Sequence, residues 1–151
     1  MGMERAMLRI TSDTLTQDGG SKALAAMRPR KIRVLLADDH PIVRGGLAQL
    51  LREQSDMEVV GEAKDGQEAV ELTLQLRPDV IVMDVMMPRL NGIEATRRVK
   101  ATLPHISVIG HSTCEDEGIA RAMREAGASA FVEKCRADDT LVATIRTQVA
   151  A

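Results

Sequence analysis

The stretch Val80-Ile81-Val82-Met83-Asp84-Val85-Met86-Met87-Pro88 decides how this chain is read. It is an apolar run that ends on a carboxylate. A short loop follows, containing Pro88 and Asn91-Gly92. Such a run, bounded by turn residues, predicts a strand buried on both faces of a parallel sheet. Asp84 then stands at the strand's carboxyl end, where open α/β sheets bind their ligands. Asp84 is therefore the candidate reactive residue.

Strand-like and helix-like segments alternate on both sides of that stretch. Ile32–Ala37 is a short apolar strand that runs into Asp38-Asp39-His40-Pro41. Ile42–Glu53 has helical spacing at Val43, Leu47, Leu50 and Leu51, with Pro41 suited to the first turn. Met57–Ala63 is the second strand, and Asp65-Gly66 turns into a helix over Gln67–Leu76. After the central strand come a helix over Ile93–Thr102, a strand over Ile106–Ser112 and a helix over Glu115–Ala126 stopped by Gly127. The last pair is a strand over Ala128–Glu133 and a helix over Asp138–Val149. Strand–helix units with short connections predict a doubly wound α/β sandwich: a parallel five-stranded sheet in order 2-1-3-4-5 with helices on both faces.

Composition narrows the function. The 151 residues suit one domain with a sizeable core. Aromatic residues make up 1% of the chain and Phe131 is the only one, so a pocket that stacks a flavin or nucleobase on rings is not expected. A net charge of −2 argues against nucleic-acid contact by this chain itself. Cys114 and Cys135 lack metal-ligand spacing and fit a reducing cytoplasm better than a disulfide scaffold. No apolar run is long enough for a membrane span, and no signal peptide is evident. Residues 1–29 are polar, turn-rich and aperiodic, and read as a flexible extension ahead of a domain over 30–151.

In the order 2-1-3-4-5, polar residues collect at neighbouring strand ends: Asp38 and Asp39, then Asp84, then Ser112 and Thr113, then Lys134. Each alone has a plainer reading. Asp38 or Asp39 could cap the first helix, Ser112 could satisfy local backbone, and Lys134 could be a surface charge. His111, inside the apolar fourth strand, reads as packing. Together they point elsewhere. Clustered carboxylates repel unless a cation neutralises them, and oxygen ligands beside a phosphoryl group suit Mg²⁺. With a lysine and a hydroxyl nearby, this is a kit for phosphoryl transfer to a carboxylate. Asp84 is expected to be an ordinary carboxylate, ionised at neutral pH.

These motifs resemble a response-regulator receiver domain of bacterial two-component signalling, over about Lys31 to Val149. They are Asp38-Asp39, the segment from Met83 to Gly92, Ser112, and the segment from Gly127 to Lys134. The runs Leu36–Arg44 and Val59–Ala63 resemble the branch joined to a LuxR-type helix-turn-helix. The resemblance implies a flavodoxin-like (βα)5 fold. It implies that Asp84 accepts a phosphoryl group from a sensor histidine kinase. Asp39, Asp84 and the backbone carbonyl of Met86 would ligate Mg²⁺, with Asp38 acting through water. Lys134 would pair with the phosphoryl group, Ser112 would bond it, and Phe131 would move with Ser112, though simple core packing competes for Phe131. Pro88 and Gly92 would shape the loop. The output would be transcription through a DNA-binding domain outside this chain, with homodimer contacts through helix 4–strand 5–helix 5 or through helices 1 and 5. No turnover enzyme is expected.

Two departures stand out. Cys135 follows the lysine where a proline is frequent, and His111 takes a position that is usually aliphatic. A haloacid-dehalogenase-like phosphatase would need an Asp where Met86 stands. A flavodoxin-type carrier would need a Ser/Thr/Gly-rich phosphate loop where Asp38-Asp39-His40-Pro41 stands. The alternatives that remain are a phosphorylation-independent interaction module and a stand-alone relay receiver.

Overall fold

A computed structural model of the chain describes residues 30–113, 116–134 and 137–150. The extension expected over 1–29, the helix start expected at Glu115, and both cysteines lie outside the described residues. The elements, in chain order, are β1 (Ile32–Ala37), α1 (Pro41–Arg52), β2 (Met57–Ala63), α2 (Gly66–Leu76), β3 (Val80–Asp84), α3 (Gly92–Thr102), β4 (Ser107–Ser112), α4 (Glu117–Ala126), β5 (Ala130–Glu133) and α5 (Ala137–Ala150). The strands form a five-stranded sheet in the order β2-β1-β3-β4-β5, every pairing parallel.

Side chains of a strand alternate between faces, and the core divides accordingly. Leu35, Ile81, Met83 and Val108 pack with Ala69 of α2, Val99 of α3 and Met123 of α4. Val34, Leu36, Val82, Ile109 and Val132 pack with Leu47 and Leu51 of α1 and Leu141 and Ile145 of α5. All five residues of β3 are buried, as its unbroken apolar run predicts for the middle of such a sheet.

The elements end where local chemistry stops them. Asp65 Oδ1 caps α2 by accepting the Glu68 N–H at 2.8 Å, and Asn91 Oδ1 caps α3 through Glu94 at 2.9 Å. Gly127, at φ 116°, closes α4 in a left-handed conformation that costs glycine least. The Ala128 N–H bonds back to Met123 O at 2.9 Å, which holds Ala128 in the helix cap. That is why β5 begins at Ala130 rather than at Ala128 as expected. Helix α1 is turned slightly from its expected face: Leu47, Ala48 and Leu51 are buried, while Val43 is 38% exposed and Ile42 is 90% exposed. Among the described residues, no helix is long and apolar enough to cross a membrane.

Candidate functional site

The sheet order brings the ends of β1, β3, β4 and β5 side by side. Asp38 follows β1, Asp84 ends β3, Ser112 ends β4 and Lys134 follows β5. Asp38, Asp84 and Ser112 are all buried. Lys134 joins them: its Nζ lies 2.9 Å from Asp38 Oδ2 and 3.3 Å from Asp84 Oδ2. A cavity of about 170 Å³ is lined by Asp84, Ser112, Thr113, Lys134, Met86, His40 and Val43. Four of the expected site residues, Asp84, Met86, Ser112 and Lys134, therefore share one opening.

Neither Asp38 nor Asp39 caps α1. His40 is the N-cap and makes no side-chain cap bond. Asp38 Oδ1 instead accepts the His40 N–H at 2.8 Å, which tightens the turn and leaves Oδ2 for Lys134. Arg44 secures the same turn from α1: its Nη1 donates to Asp38 O at 2.7 Å and its Nε donates to Glu62 Oε1 at 3.3 Å. On the other side of the site, Gly92 N donates to Val85 O at 2.8 Å. A Cβ at position 92 would lie 2.0 Å from Asp84 O, so only glycine lets the loop close on the strand end. Arg89, at φ 66°, places Nη1 3.3 Å from the buried Asp65 Oδ2.

Burial shifts the charges. Desolvation, followed by the repulsion of Asp38, pushes Asp84 up to about 6 against the opposing pull of Lys134, with Asp39 adding to the rise. Asp84 is thus not the ordinary carboxylate that the sequence suggests: burial beside like charges holds it closer to protonation, though it is still ionised at neutral pH. Lys134 is pulled down by burial, but its hydrogen bond to Asp38 and the charges of Asp84 and Asp38 outweigh this and raise it. Burial and the Lys134 charge lower His111 to about 4, against the pull of Asp38.

The residues fit a divalent cation. Asp38, Asp39, His40 and Asp84 each offer a ligand atom, all within 4.8 Å of one another. Asp39 Oδ1 is buried with no formed hydrogen bond among the described residues and His40 Nδ1 3.1 Å away, and carboxylates held this close together repel one another unless a cation joins them. A donor set dominated by carboxylates suits Mg²⁺.

Phe131 lies apart from the cavity. It packs against the α2–α4 side of the core, and its Cδ2 would be 2.7 Å from a Cβ at Gly110. His111 is 1% exposed and its Nε2 has no hydrogen-bond partner among the described residues. It lies two residues after Ile109, on the α1–α5 face, and lines a groove of about 330 Å³ with Ile42, Leu47 and Leu50. Packing is thus its position, as expected. Sequence reasoning missed His40, Arg44 and the Asp65–Arg89 pair. Arg44 had one usable signal, a cation one helical turn after the N-cap.

The response regulator receiver domain profile matches residues 34–146. The transcriptional regulatory protein LnrK of Bacillus subtilis is 37% identical over 116 residues, covering 77% of this chain and 53% of that protein. The response regulator domain of Thermotoga maritima CheB superposes with a TM-score of 0.76 at 38% identity, covering 81% of this chain and 98% of that one. A LuxR-family two-component response regulator from Aurantimonas sp. SI85-9A1 gives 0.76 at 36% identity, covering 80% and 86%. The chain spans about half the length of the curated relatives it matches. With its sheet order, its acidic strand ends and the lysine between them, the chain belongs to the response-regulator receiver domain family.

Proposed function

We propose that Asp84 accepts a phosphoryl group from a phosphohistidine of a sensor histidine kinase, and that the phosphorylated domain controls an output. One Asp84 oxygen forms a bond to phosphorus as the bond from phosphorus to the histidine nitrogen breaks. Residues 30–151 form the phosphoacceptor domain in this reading, with 1–29 ahead of it. The observation that carries the proposal is the placement of the Lys134 ammonium between Asp38 and Asp84, at 2.9 and 3.3 Å, beside the cavity that Ser112 lines.

Asp39, Asp84 and the Met86 carbonyl would hold Mg²⁺, and Asp38 would act through water. When bound, the ion would neutralise charge on the transferring oxygens. Lys134 is poised to exchange part of its contact with Asp84 for the phosphoryl oxygens. Ser112 supplies a hydroxyl to the same group. Both residues meet phosphoryl oxygens only in the phosphorylated state, which is the differential interaction a population shift requires. A near-complete switch needs roughly 5.5 kcal/mol of such preference, and charge-assisted hydrogen bonds of about 1.5–3 kcal/mol each supply much of it. Phe131, packed over Gly110 two residues before Ser112 on β4, is the side chain through which that change reaches the surface of α4, β5 and α5.

The relatives are transcriptional regulators by name, and a structural neighbour is described as a DNA-binding response regulator of the LuxR family. Transcriptional control in the cytoplasm, through a DNA-binding partner domain, is the output this favours. Dimer contacts would use α4–β5–α5 or α1–α5. The domain modifies itself and turns over no external substrate.

Intact mass after incubation with Mg²⁺ and acetyl phosphate tests the proposal. A single labile phosphoryl adduct is expected on the native chain and none on Asp84→Asn. Mg²⁺ binding without any adduct would favour the phosphorylation-independent module.

A further inference from the structure

His111 is the buried polar group that phosphoryl transfer leaves unused. It lies inside β4, with Asp84 and Val132 as its register partners, and it is 1% exposed. Its Nε2 is buried with no hydrogen bond among the described residues, and a buried polar nitrogen is destabilising until something bonds it. The groove beside it has room for that partner. It measures about 330 Å³ and is walled by Ile42, Leu47 and Leu50 of α1, with His111 and Lys134 at the strand ends. Small-ligand pockets begin at roughly 300 Å³. Ile42, 90% exposed, stands at the mouth, and the buried His111 at the base. Gly46 also lines the groove, and a Cβ there would meet nothing within 4 Å. Glycine inside a helix costs stability, and here it leaves free the space that a side chain would fill.

The surroundings select the ligand. His111, buried beside the Lys134 ammonium, stays neutral, and a neutral imidazole has one N–H and one lone-pair nitrogen. A hydroxyl both donates and accepts, so it satisfies Nε2 in either tautomer. A carboxylate head would add to Asp38 and Asp84, which Lys134 alone offsets, and an ammonium head would face Lys134 itself. We propose that the groove binds a small neutral molecule with an aliphatic body and a single hydroxyl, the hydroxyl bonded to His111 Nε2 and the body laid along Ile42, Leu47 and Leu50. The site is independent of the phosphoacceptor reading, but its consequence rests on that reading. Lys134 and Val43 line both this groove and the cavity at Asp84. An occupant therefore hinders the exchange of partners that Lys134 makes on phosphorylation, and slows phosphoryl uptake. Simple packing of His111, the plainer role, predicts no preference for a hydroxyl.

The test titrates the 151-residue chain with hexan-1-ol, hexanoate and hexylammonium, which share one alkyl chain and differ in the head group. Amide and imidazole ¹⁵N shifts report binding. Hexan-1-ol is expected to move Gly46, Leu47, Leu50 and the His111 ring, and to bind roughly fivefold or more tighter than either ion. His111→Val should weaken hexan-1-ol by roughly fivefold or more, the loss of one buried hydrogen bond. Gly46→Leu, which fills the groove, should abolish binding. Equal affinity for the three probes, shifts scattered away from the groove, or an unchanged hexan-1-ol affinity in either variant overturns the proposal. Shifts of the same residues on dilution of the unliganded chain would assign the groove to a second copy, and overturn it too. Saturating hexan-1-ol should slow phosphoryl uptake from acetyl phosphate by roughly tenfold, short of the ~10²-fold cost of losing one preorganised charge. An unchanged rate overturns the coupling through Lys134. Lack of any adduct on the unliganded chain would be a failure of the phosphoacceptor reading, and the titration would still decide the site.

Discussion

Asp84 and His111 are register partners across β3 and β4, and burial drives both toward their neutral forms. Asp84 is raised to about 6 and His111 is lowered to about 4. The consequences for stability run in opposite directions. Between its unfolded value of 3.8 and about 6, folded Asp84 holds a proton that the unfolded chain has released, so stability falls as pH rises through that window. Between 6.5 and about 4, unfolded His111 takes up a proton that the folded chain refuses, so stability falls as pH drops.

Each effect amounts to about 3 kcal/mol at most, and the two windows overlap between about pH 4 and 6. In EDTA, the native chain should lose less stability across that range than Asp84→Asn, whose His111 contribution is no longer opposed. Asp84→Asn should also be the more stable protein at pH 8, by up to about 3 kcal/mol. Urea unfolding at pH 4.5, 6 and 8 checks both statements. Parallel pH profiles for the two proteins would remove Asp84 from the account.

Lys134 is what makes two buried carboxylates tolerable together. Removing one partner of a buried ion pair costs about 3 kcal/mol or more, because the remaining charge is stranded. Lys134→Ala should therefore be destabilised at pH 8 and recover part of the loss as pH falls, since Asp84 protonates more readily without the ammonium. The same variant should take up phosphoryl groups from acetyl phosphate roughly 10²-fold more slowly, the usual cost of losing one preorganised charge at a reacting centre. A near-native rate would leave Lys134 a structural role only.

The core was legible because a doubly covered parallel sheet writes its strands as apolar runs, and β3 is the clearest of them. Asp84 was legible because it breaks that run at the strand's carboxyl end. Lys134 acquired meaning only beside Asp38 and Asp84, through the expected strand order. The rest depended on distances that no sequence period encodes. His40 is adjacent to the acidic pair in sequence, but adjacency does not show that its Nδ1 lies 3.1 Å from Asp39 Oδ1 and 3.3 Å from Asp38 Oδ1. Arg44 reads as an ordinary charge at helical spacing until α1 is laid against β2 and Glu62. The raised Asp84 likewise follows from depth of burial, which residue type alone does not give.

Divalent-ion binding should couple to stability. An ion that binds the folded state and not the unfolded one stabilises by about 2.7 kcal/mol at a hundredfold excess over its Kd. Mg²⁺ should raise the melting temperature of the native chain at pH 8, where Asp84 is ionised, more than at pH 5, where it is mostly protonated. Asp39→Asn should lose most of the effect. Calorimetric scans at the two pH values, with and without Mg²⁺, decide this. An equal rise in both proteins would place the ion elsewhere.

The glycines of α1 and of the β3–α3 loop provide the last contrast. A Cβ at Gly92 would stand 2.0 Å from Asp84 O, whereas a Cβ at Gly45 meets nothing within 4 Å. Gly92→Ala must push the loop off the strand end, an overpacking that costs about 1–3 kcal/mol. Because that loop carries Met86 into the cavity beside Asp84, Mg²⁺ affinity should fall as well. Gly45→Ala, inside α1, removes chain entropy from the unfolded state without a clash and should stabilise by about 0.5–1 kcal/mol. Urea melts of the two variants, with Mg²⁺ titrations alongside, should therefore move in opposite directions in stability, and only Gly92→Ala should change metal binding. Loss of Mg²⁺ affinity in Gly45→Ala would mean that α1, rather than the loop after Asp84, sets the geometry of the site.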